Sequence, residues 1–403
     1  MKGSGKGKTK RVARTRASAS PKTSPARTLL FQKPVIAVTG SAGKTTTKEM
    51  ISAILRRRWN IYKSKYNRNF LGNTRAHAKR IKDEHQAAVL EYGMTSSGHI
   101  KKHCQIIQPS IGIITNIGTA HIGNFDGLMS GIAMAKSELI RYMKPTGTVF
   151  LNRDCPFSRE FHKPPYVGRF FGKFITVGIE HEADFQAKQI QVDEWGIRFR
   201  CVAKAWWQPE AFFLPMLGEH NVYNALFAIA VAHSLGFSVQ QIRMGLQTFR
   251  PQQKRLTKHT LPHRVQVLDD TYSSNPDAAK AAIDVLAQVS GGTKVAVLAS
   301  MLEMGSYAVE AHEEVGRYVS QKNIDYLYTL GRSARHIARG AIRSGFPASR
   351  VVHCQTKAGL HRHLSKRIRP DTAFLVKGSH RLKMEETVHF LCNETARISR
   401  SRR

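Results

Sequence analysis

Cysteine is scarce in this sequence of 403 residues, which contains only five, and none of them forms a C-x-x-C pair. They stand at Cys104, Cys155, Cys201, Cys354 and Cys392. This spacing argues against both a disulfide framework and a zinc cluster built from cysteines. Scattered cysteines are typical of proteins in a reducing compartment, so we expect a cytoplasmic protein.

Long apolar runs are also missing. No stretch reaches the length of a membrane span, and the charged beginning of the chain has no apolar core that would make it a secretory signal. With 41% hydrophobic residues, the chain is nevertheless long enough to form two or three packed domains.

Acidic residues are few, because 28 Asp and Glu stand against 63 Lys and Arg, for a net charge of +35. Residues 1–33 contain ten Lys or Arg and no acid, which predicts a disordered basic tail, and residues 397–403 form a second basic tail. Such charge attracts polyanions, so we expect salt-sensitive binding through the tails, with residues 1–33 dispensable for catalysis. A generally basic proteome or an anionic substrate explains the same charge, and no RNA-binding aromatic signature or zinc finger is present.

The most informative stretch is residues 35–47, which read V-I-A-V-T-G-S-A-G-K-T-T-T. The pattern predicts a buried strand, a tight glycine turn and a helix from Thr45 to Arg58. A helix N-terminus after such a turn offers backbone N–H groups to an anion. Lys44 can then reach the β- and γ-phosphates of a nucleotide, and the Thr45 hydroxyl can ligate Mg²⁺. The predicted phosphate-binding residues are Gly40, Ser41, Ala42, Gly43, Lys44, Thr45 and Thr46.

Strands and helices alternate after this loop, which predicts an α/β fold with a mostly parallel sheet over residues 34–250. Three polar positions follow predicted strands or lie on a predicted helix: Glu91 ends strand 87–91, His121 follows strand 111–115, and Lys136 lies in a helix. Ligands bind at the carboxyl ends of parallel strands, so we expect Glu91 and His121 to meet the glycine loop. Residues 174–202 read as a β-rich insertion.

A second series of alternating strands and helices follows residue 250. We therefore predict a smaller, doubly wound (Rossmann-like) domain over residues 251–396.

Several ordered motifs together carry a family resemblance. They are T-G-S-A-G-K-T at 39–45, E-Y-G-M at 91–94, T-N-I-G-T-A-H at 115–121, A-K-S-E at 135–138, G-E-H-N-V-Y-N-A at 218–225, D-D-T-Y-S-S-N-P at 269–276, M-L-E-M-G at 301–305 and V-K-G-S at 376–379. The chain resembles the Mur ligase family over about residues 34–384, and it is most similar to the branch that adds D-alanyl-D-alanine to UDP-muramoyl-tripeptide in peptidoglycan precursor synthesis. The resemblance implies that ATP activates a substrate carboxylate as an acyl phosphate, which an amine then attacks.

The resemblance also implies roles for single residues. Thr45 and Glu91 would hold one Mg²⁺, His121 would ligate a second, and Lys136 would be carbamylated and support that second metal. Asn221 matches a residue at the adenine, and Arg255 matches one that reaches the phosphates.

In the C-terminal domain, the resemblance implies a ribose contact for Asp270, although the neighbouring Asp269 is an alternative. Asn275 and the segment Lys377, Gly378 and Ser379 would help close the site and hold the amine substrate.

The sequence departs from this branch in three places. Members of the branch carry a uridine-nucleotide-binding domain before the phosphate loop, whereas only the basic residues 1–33 precede Pro34 in this sequence. Because these residues cannot rebuild a uridine-nucleotide pocket, we expect this chain to bind UDP-muramoyl-tripeptide poorly and Mg-ATP normally. Residues 66–72 fit the asparagine-rich family segment loosely, and Ser273 and Ser274 replace Asn-Ala. Two alternatives stay open, a ligase of the same family with a different acceptor and a non-catalytic nucleotide-binding protein.

Overall fold

The computed structural model describes residues 1, 29, 31–289 and 291–401. The strands are β1 Val35–Thr39, β2 Ile61–Lys63, β3 Ala87–Glu91, β4 Ile111–Ile114, β5 Thr148–Asn152, β6 Lys173–Gly178, β7 Phe185–Val192, β8 Ile197–Ala203, β9 Glu210–Leu214, β10 Thr257–Thr260, β11 Gln266–Asp270, β12 Lys294–Ala299, β13 Tyr326–Leu330, β14 Val351–Cys354 and β15 Ala373–Lys377. The helices are α1 Lys44–Leu55, α2 Leu71–Ala78, α3 His99–Ile106, α4 Met129–Tyr142, α5 Asn221–Ser234, α6 Val239–Gln247, α7 Pro276–Gln288, α8 Ala308–Ser320, α9 Arg335–Arg343, α10 Lys357–Ser365 and α11 Glu385–Ser401.

The first domain is built on one sheet with strand order β2-β3-β1-β4-β5-β6-β7-β8-β9. Strands β2 to β7 pair in parallel, and β8 and β9 extend the edge antiparallel. Strand β1 is buried along its whole length because α1 and α5 cover one face of the sheet and α3 and α4 cover the other. This explains why its sequence is a continuous β-branched apolar run rather than an alternating one.

The strands predicted over residues 174–202 are confirmed, but the interpretation of this stretch as an insertion is wrong. These residues form β6 to β8 and continue the sheet directly from β5. The inward side chains of the antiparallel edge, among them Phe199, Cys201, Phe212 and Leu214, join the same apolar cluster as α5. Burial of these side chains against the alanine-rich α5 keeps the edge in the domain.

The second domain has its own sheet with order β10-β11-β15-β12-β13-β14, in which only β10 pairs antiparallel. Helices α7, α8 and α9 lie on one face, and α10 and α11 lie on the other. The boundary predicted at residue 250 falls between α6, which ends at Gln247, and β10, which begins at Thr257. This arrangement is the doubly wound α/β architecture expected from the alternating pattern.

Both predicted tails are shorter than expected where the structure describes them. Residues 2–28 and 30 lie outside the described part, but Leu29 donates its N–H to Ile106 O at 2.9 Å and Phe31 is buried. At the other end, α11 continues to Ser401, so residues 397–401 belong to a helix, while residues 402 and 403 are not described. The N-terminal tail ends earlier than predicted because the apolar side chains of Leu29 and Phe31 pack against the first domain.

All five cysteines are free, and four of them are buried. Within the described ranges, no helix combines the length and the apolar character needed to cross a bilayer.

Candidate active site at the domain junction

A cavity of about 550 Å³ lies between the carboxyl ends of β1, β3 and β4 and the loops of the second domain. The predicted site residues that line it are Ser41, Ala42, Gly43, Lys44, Thr45, Thr46, Glu91, His121, Lys136, Asn221, Arg255, Asp270, Asn275, Lys377 and Ser379. Gly40 and Gly378 adjoin lining residues without lining the cavity themselves. The volume is that of an ordinary small-molecule site.

The glycine loop has the tight turn that its sequence predicts. Gly43 caps α1 with φ 78°, and a Cβ atom there would lie 2.3 Å from Asn224 Oδ1. Only glycine combines this left-handed conformation with such close packing. Helix α1 then begins at Lys44, one residue earlier than predicted, and ends at Leu55 rather than Arg58.

Asn116, which follows β4, holds the beginning of the loop. Its Oδ1 accepts hydrogen bonds from Ser41 N at 3.0 Å and from Ala42 N at 2.9 Å. The protein's own hydrogen bonds therefore hold the loop in shape, which lowers the cost of ordering it on nucleotide binding.

Lys44 folds back over this loop, and its Nζ donates to Gly40 O at 2.8 Å. Burial lowers the pKa of Lys44, while Glu91 opposes the shift and Arg255 adds to it. A cation whose charge is so poorly solvated gains strongly from an anionic ligand.

Glu91 is the centre of the hydrogen-bond network on the metal side. Its Oε2 accepts from Thr45 Oγ1 at 2.8 Å, and its Oε1 accepts from Asn69 Nδ2 at 2.8 Å. Arg255, from the segment between the domains, donates to the same Thr45 hydroxyl at 3.3 Å. The carboxylate is thus fixed in orientation by residues from three separate parts of the chain.

Two members of this network were not predicted as site residues. Asn69 lies in the segment that fitted the family pattern only loosely. Lys48 is fully buried, donates to Ser64 O at 2.8 Å, and lies 4.0 Å from Glu91 Oε2. Its place four residues after Lys44, on the same helical face, was the available signal.

The arrangement fits Mg²⁺, although no group of three His, Cys, Asp or Glu side chains forms a metal cage among the residues that the structure describes. Mg²⁺ is commonly held by one or two carboxylates and completed by waters and substrate phosphates. The hydroxyl of Thr45 and the carboxylate of Glu91 both line the cavity and supply such a pair of oxygen ligands.

Lys136 lies on α4 with 2% of its surface exposed. Burial, together with the nearby cation Lys44, places the pKa of Lys136 well below its usual range. Burial thus shifts the equilibrium towards the neutral amine, which is the only form of the side chain that is a nucleophile.

His121 contacts the second domain through its Nδ1, which lies 2.6 Å from Glu303 Oε2. Burial lowers the pKa of His121, Lys44 lowers it further, and Glu303 opposes both effects. Glu303 was recognised as part of a motif but not predicted as a site residue, because nothing in the sequence indicates a contact across 182 positions.

The predicted nucleotide-side residues are held rigidly. Asn221 Nδ2 donates to Leu217 O at 2.8 Å, and its Oδ1 accepts from Asn224 at 2.8 Å. The Arg255 guanidinium lies over the ring of Tyr272 at 4.1 Å, and its buried Nε has no hydrogen-bond partner among the described residues. An unpartnered donor beside the cavity is a natural contact for a phosphate oxygen.

The two candidate aspartates differ in their surroundings. Asp269 is buried and accepts from Thr271 through its Oδ1, whereas Asp270 lines the cavity. The ribose contact at Asp270 stays a prediction, and Asp270 is the aspartate that a ligand in the cavity can reach.

The predicted amine-binding residues are partly engaged in the protein itself. Lys377 is 1% exposed, and its Nζ donates to Asp270 Oδ2 at 2.5 Å and to Ser273 O at 2.8 Å. The Asn275 side chain caps α7 by accepting from Ala278 N at 2.8 Å. These two side chains shape the wall of the cavity, while Ser379 lines it.

Comparison with known proteins agrees with this geometry. Residues 38–232 match the model of the Mur ligase middle domain, and residues 254–380 match that of the Mur ligase, glutamate ligase domain. The UDP-N-acetylmuramoyl-tripeptide–D-alanyl-D-alanine ligase of Bacillus subtilis (strain 168) is 32% identical to this chain over 355 residues, which cover 88% of the chain and 75% of the relative. The chain belongs to the Mur ligase family.

Solved structures place this Mur ligase in the same fold. A crystal structure of MurF from Acinetobacter baumannii superposes with a TM-score of 0.82 at 32% identity, covering 90% of this chain and 77% of the other. MurF from Thermotoga maritima, solved in complex with ADP, gives a TM-score of 0.78 at 23% identity, with 91% and 81% covered. The predicted fold class, and the prediction of an ATP-dependent amide-forming ligase of this family, are confirmed.

Proposed function

We propose that this Mur ligase joins D-alanyl-D-alanine to the terminal carboxylate of a muramoyl-tripeptide. The observation that carries the proposal is the convergence of Lys44, Glu91, His121, Lys136 and Arg255 on one cavity between the two domains. Each of these groups suits a different part of ATP-dependent carboxylate activation. The relatives that are 32% identical over most of the chain bear the name of this reaction.

In the first step, an oxygen of the substrate carboxylate attacks the γ-phosphorus of ATP, and the bond to the β–γ bridging oxygen breaks as ADP leaves. Lys44 and Arg255 are the cations that neutralise charge on the transferring phosphoryl group. Arg255 donates to the Thr45 hydroxyl and Lys44 is the first residue of α1, so the helix dipole adds to the same stabilisation.

Thr45 and Glu91 would hold one Mg²⁺, and His121 would ligate a second. A bound Mg²⁺ withdraws electrons from phosphoryl oxygens and fixes their orientation. Asn69 keeps Glu91 turned towards Thr45 by binding its other oxygen.

Lys136 would act as a carbamate. Its neutral amine adds to CO₂ and releases one proton, so that a neutral group is replaced by an anion. The nearby cation Lys44 favours this product because it attracts the negative carbamate.

In the second step, the amine nitrogen attacks the carbonyl carbon of the acyl phosphate, inorganic phosphate leaves and the amine loses a proton. An acyl phosphate is readily hydrolysed, so water has to be excluded. The second domain covers the cavity with residues 302–304, 377 and 379–381 and is well placed to do so.

The chain contains 63 basic and 28 acidic residues, and the resulting net charge of +35 favours the attraction of anionic nucleotide and peptide substrates to this cavity. The five free cysteines suit a reducing cytosol, where we place the reaction.

The experiment is phosphate release from Mg-ATP by the purified chain, with product masses measured. Muramoyl-tripeptide is offered with and without its UDP group, and D-alanyl-D-alanine is included or omitted. We expect phosphate release that requires both substrates, and a product heavier by one D-alanyl-D-alanine residue pair. Glutamate is also supplied in place of D-alanyl-D-alanine, and phosphate release only with glutamate would contradict the proposal and favour a polyglutamate-type ligase. ATP binding without turnover on any pair would favour a non-catalytic protein.

A further inference from the structure

Two residues from different domains meet on the wall of the cavity, and both have an unusual backbone conformation. His121 follows β4 of the first domain, Glu303 lies in the loop after β12 of the second, and φ is 63° for each. Non-glycine residues at positive φ cost on the order of 1 kcal/mol or more and persist where the surroundings hold them. The contact between their side chains, at 2.6 Å, is therefore a feature that the fold maintains against strain on both sides.

Backbone contacts hold the two loops together at this point. Gly123 N donates to Glu303 O at 3.3 Å, and the main chains of Gly123 and Gly305 approach so closely that a side chain on either would collide with the other. Four residues before Gly123, Thr119 donates from both N and Oγ1 to Asp277 Oδ2 at 2.9 Å. His121 thus lies between two anchors on the second domain.

The chemistry of the contact determines the tautomer of the imidazole. A carboxylate only accepts hydrogen bonds, so the proton of a neutral His121 has to reside on Nδ1. Nε2 then carries the lone pair, which is the form required to ligate a metal or to accept a proton.

We propose that Glu303 is the positioning residue of His121, supplied across the domain junction, so that His121 adopts its working tautomer and orientation only while the two domains are in contact. This inference rests on the proposed function and adds a residue to it. The site is then completed at the moment when the two domains come into contact, because the carboxylate that orients His121 belongs to the second domain.

The kinetic test compares three variants in the ligase assay. Glu303→Ala removes the acceptor, Glu303→Gln keeps an acceptor oxygen without the charge, and Glu310→Gln removes an exposed carboxylate from the same domain as a control. Loss of such an outer partner typically costs about 10- to 100-fold. We expect this loss in kcat for Glu303→Ala, an intermediate value for Glu303→Gln and no change for the control, with the ATP KM within about two-fold throughout. In a His121→Ala background, Glu303→Ala should cause no further loss, since two residues that act as a unit are not additive.

A spectroscopic test does not depend on turnover. Histidines are labelled with ¹⁵N, and the His121 ring signals are assigned by their loss in His121→Ala. The wild-type protein should show the Nδ1–H tautomer, and Glu303→Ala should lose it. If the His121 signals are identical in the wild type and in Glu303→Ala, the inference is overturned, whether or not any substrate pair is turned over. If the tautomer changes but no substrate pair is turned over, only the proposed function is contradicted. Additive kinetic losses with a raised KM for the amine would also overturn it, because Glu303 would then bind the amine substrate directly.

Discussion

The domain junction can be opened by a single methyl group. A Cβ atom on Gly123 would lie 2.4 Å from Gly305 N and 2.6 Å from Met304 C, and both of these are main-chain atoms that cannot rotate away. Ordinary contact begins near 3.4 Å, so in Gly123→Ala the second domain has to withdraw by about 1 Å, the difference between the two distances. Gly123 has no positive φ, so alanine causes no backbone strain within its own domain.

A displacement of about 1 Å at a site of this kind can lower the rate about 100-fold. We therefore expect kcat of Gly123→Ala to fall by roughly that factor, measured as phosphate release with both substrates present. The matched control is Gly72→Ala, because Gly72 lies in α2 without a positive φ, and a Cβ atom added there would have no neighbouring atom within 4 Å. The thermal midpoint should stay close to that of the wild type in both variants, since neither substitution removes a buried apolar side chain. Turnover of Gly123→Ala within about two-fold of the control would refute the reasoning that the junction has to close for catalysis.

Three other predictions concern single side chains. Lys44→Ala should lower kcat by about 10²–10³ with the fold intact, because a cation that stabilises the transferring phosphoryl group is lost, and near-normal turnover by the folded variant would contradict its role. Lys136→Ala should lose activity and recover part of it when a short-chain carboxylic acid is added to the assay, while full activity without the acid would exclude the carbamate. His103 is 1% exposed and packed on Tyr92, and burial lowers its pKa from 6.5 to about 4. Because the unfolded chain binds this proton more readily, His103 contributes fully to stability above about pH 6.5, and up to on the order of 3 kcal/mol is lost as the pH falls towards 4. Urea unfolding at about pH 7.5 and pH 5 should show a smaller loss for His103→Asn than for the wild type; equal losses would mean that His103 is not the group responsible.

Local patterns in the sequence were sufficient for most elements of the fold. The apolar run before Gly40 predicted β1, and the strand ending at Glu91 has the predicted bounds. These predictions succeed because burial on both faces of a parallel sheet leaves a continuous apolar signature. The pattern was insufficient for residues 174–202, since short alternating strands look the same whether they extend a sheet or stand apart from it.

Several site residues could be predicted because each stands in a recognisable local context. Lys44 and Thr45 open a helix after a glycine turn, and Glu91 and His121 follow strands whose ends meet at one edge. Lys48 offers only a weak signal, its place one turn after Lys44, because a lysine within a helix usually faces solvent. Its burial beneath Ser64 and Tyr66 depends on a loop whose path the sequence pattern does not indicate.

The sequence by itself determined which chemistry this protein carries, because the phosphate loop and the ordered motifs are contiguous runs of residues with local physical roles. The tertiary structure alone decided which groups act together. Glu303 reaches His121 and Arg255 reaches Thr45 only because the two domains bring their loops to one cavity, and Lys377 pairs with Asp270 because β11 and β15 are neighbours in the second sheet. The physical reason is that strand and helix patterns encode burial along the chain, whereas a hydrogen bond between distant residues depends on the packing of whole domains, which no local pattern records.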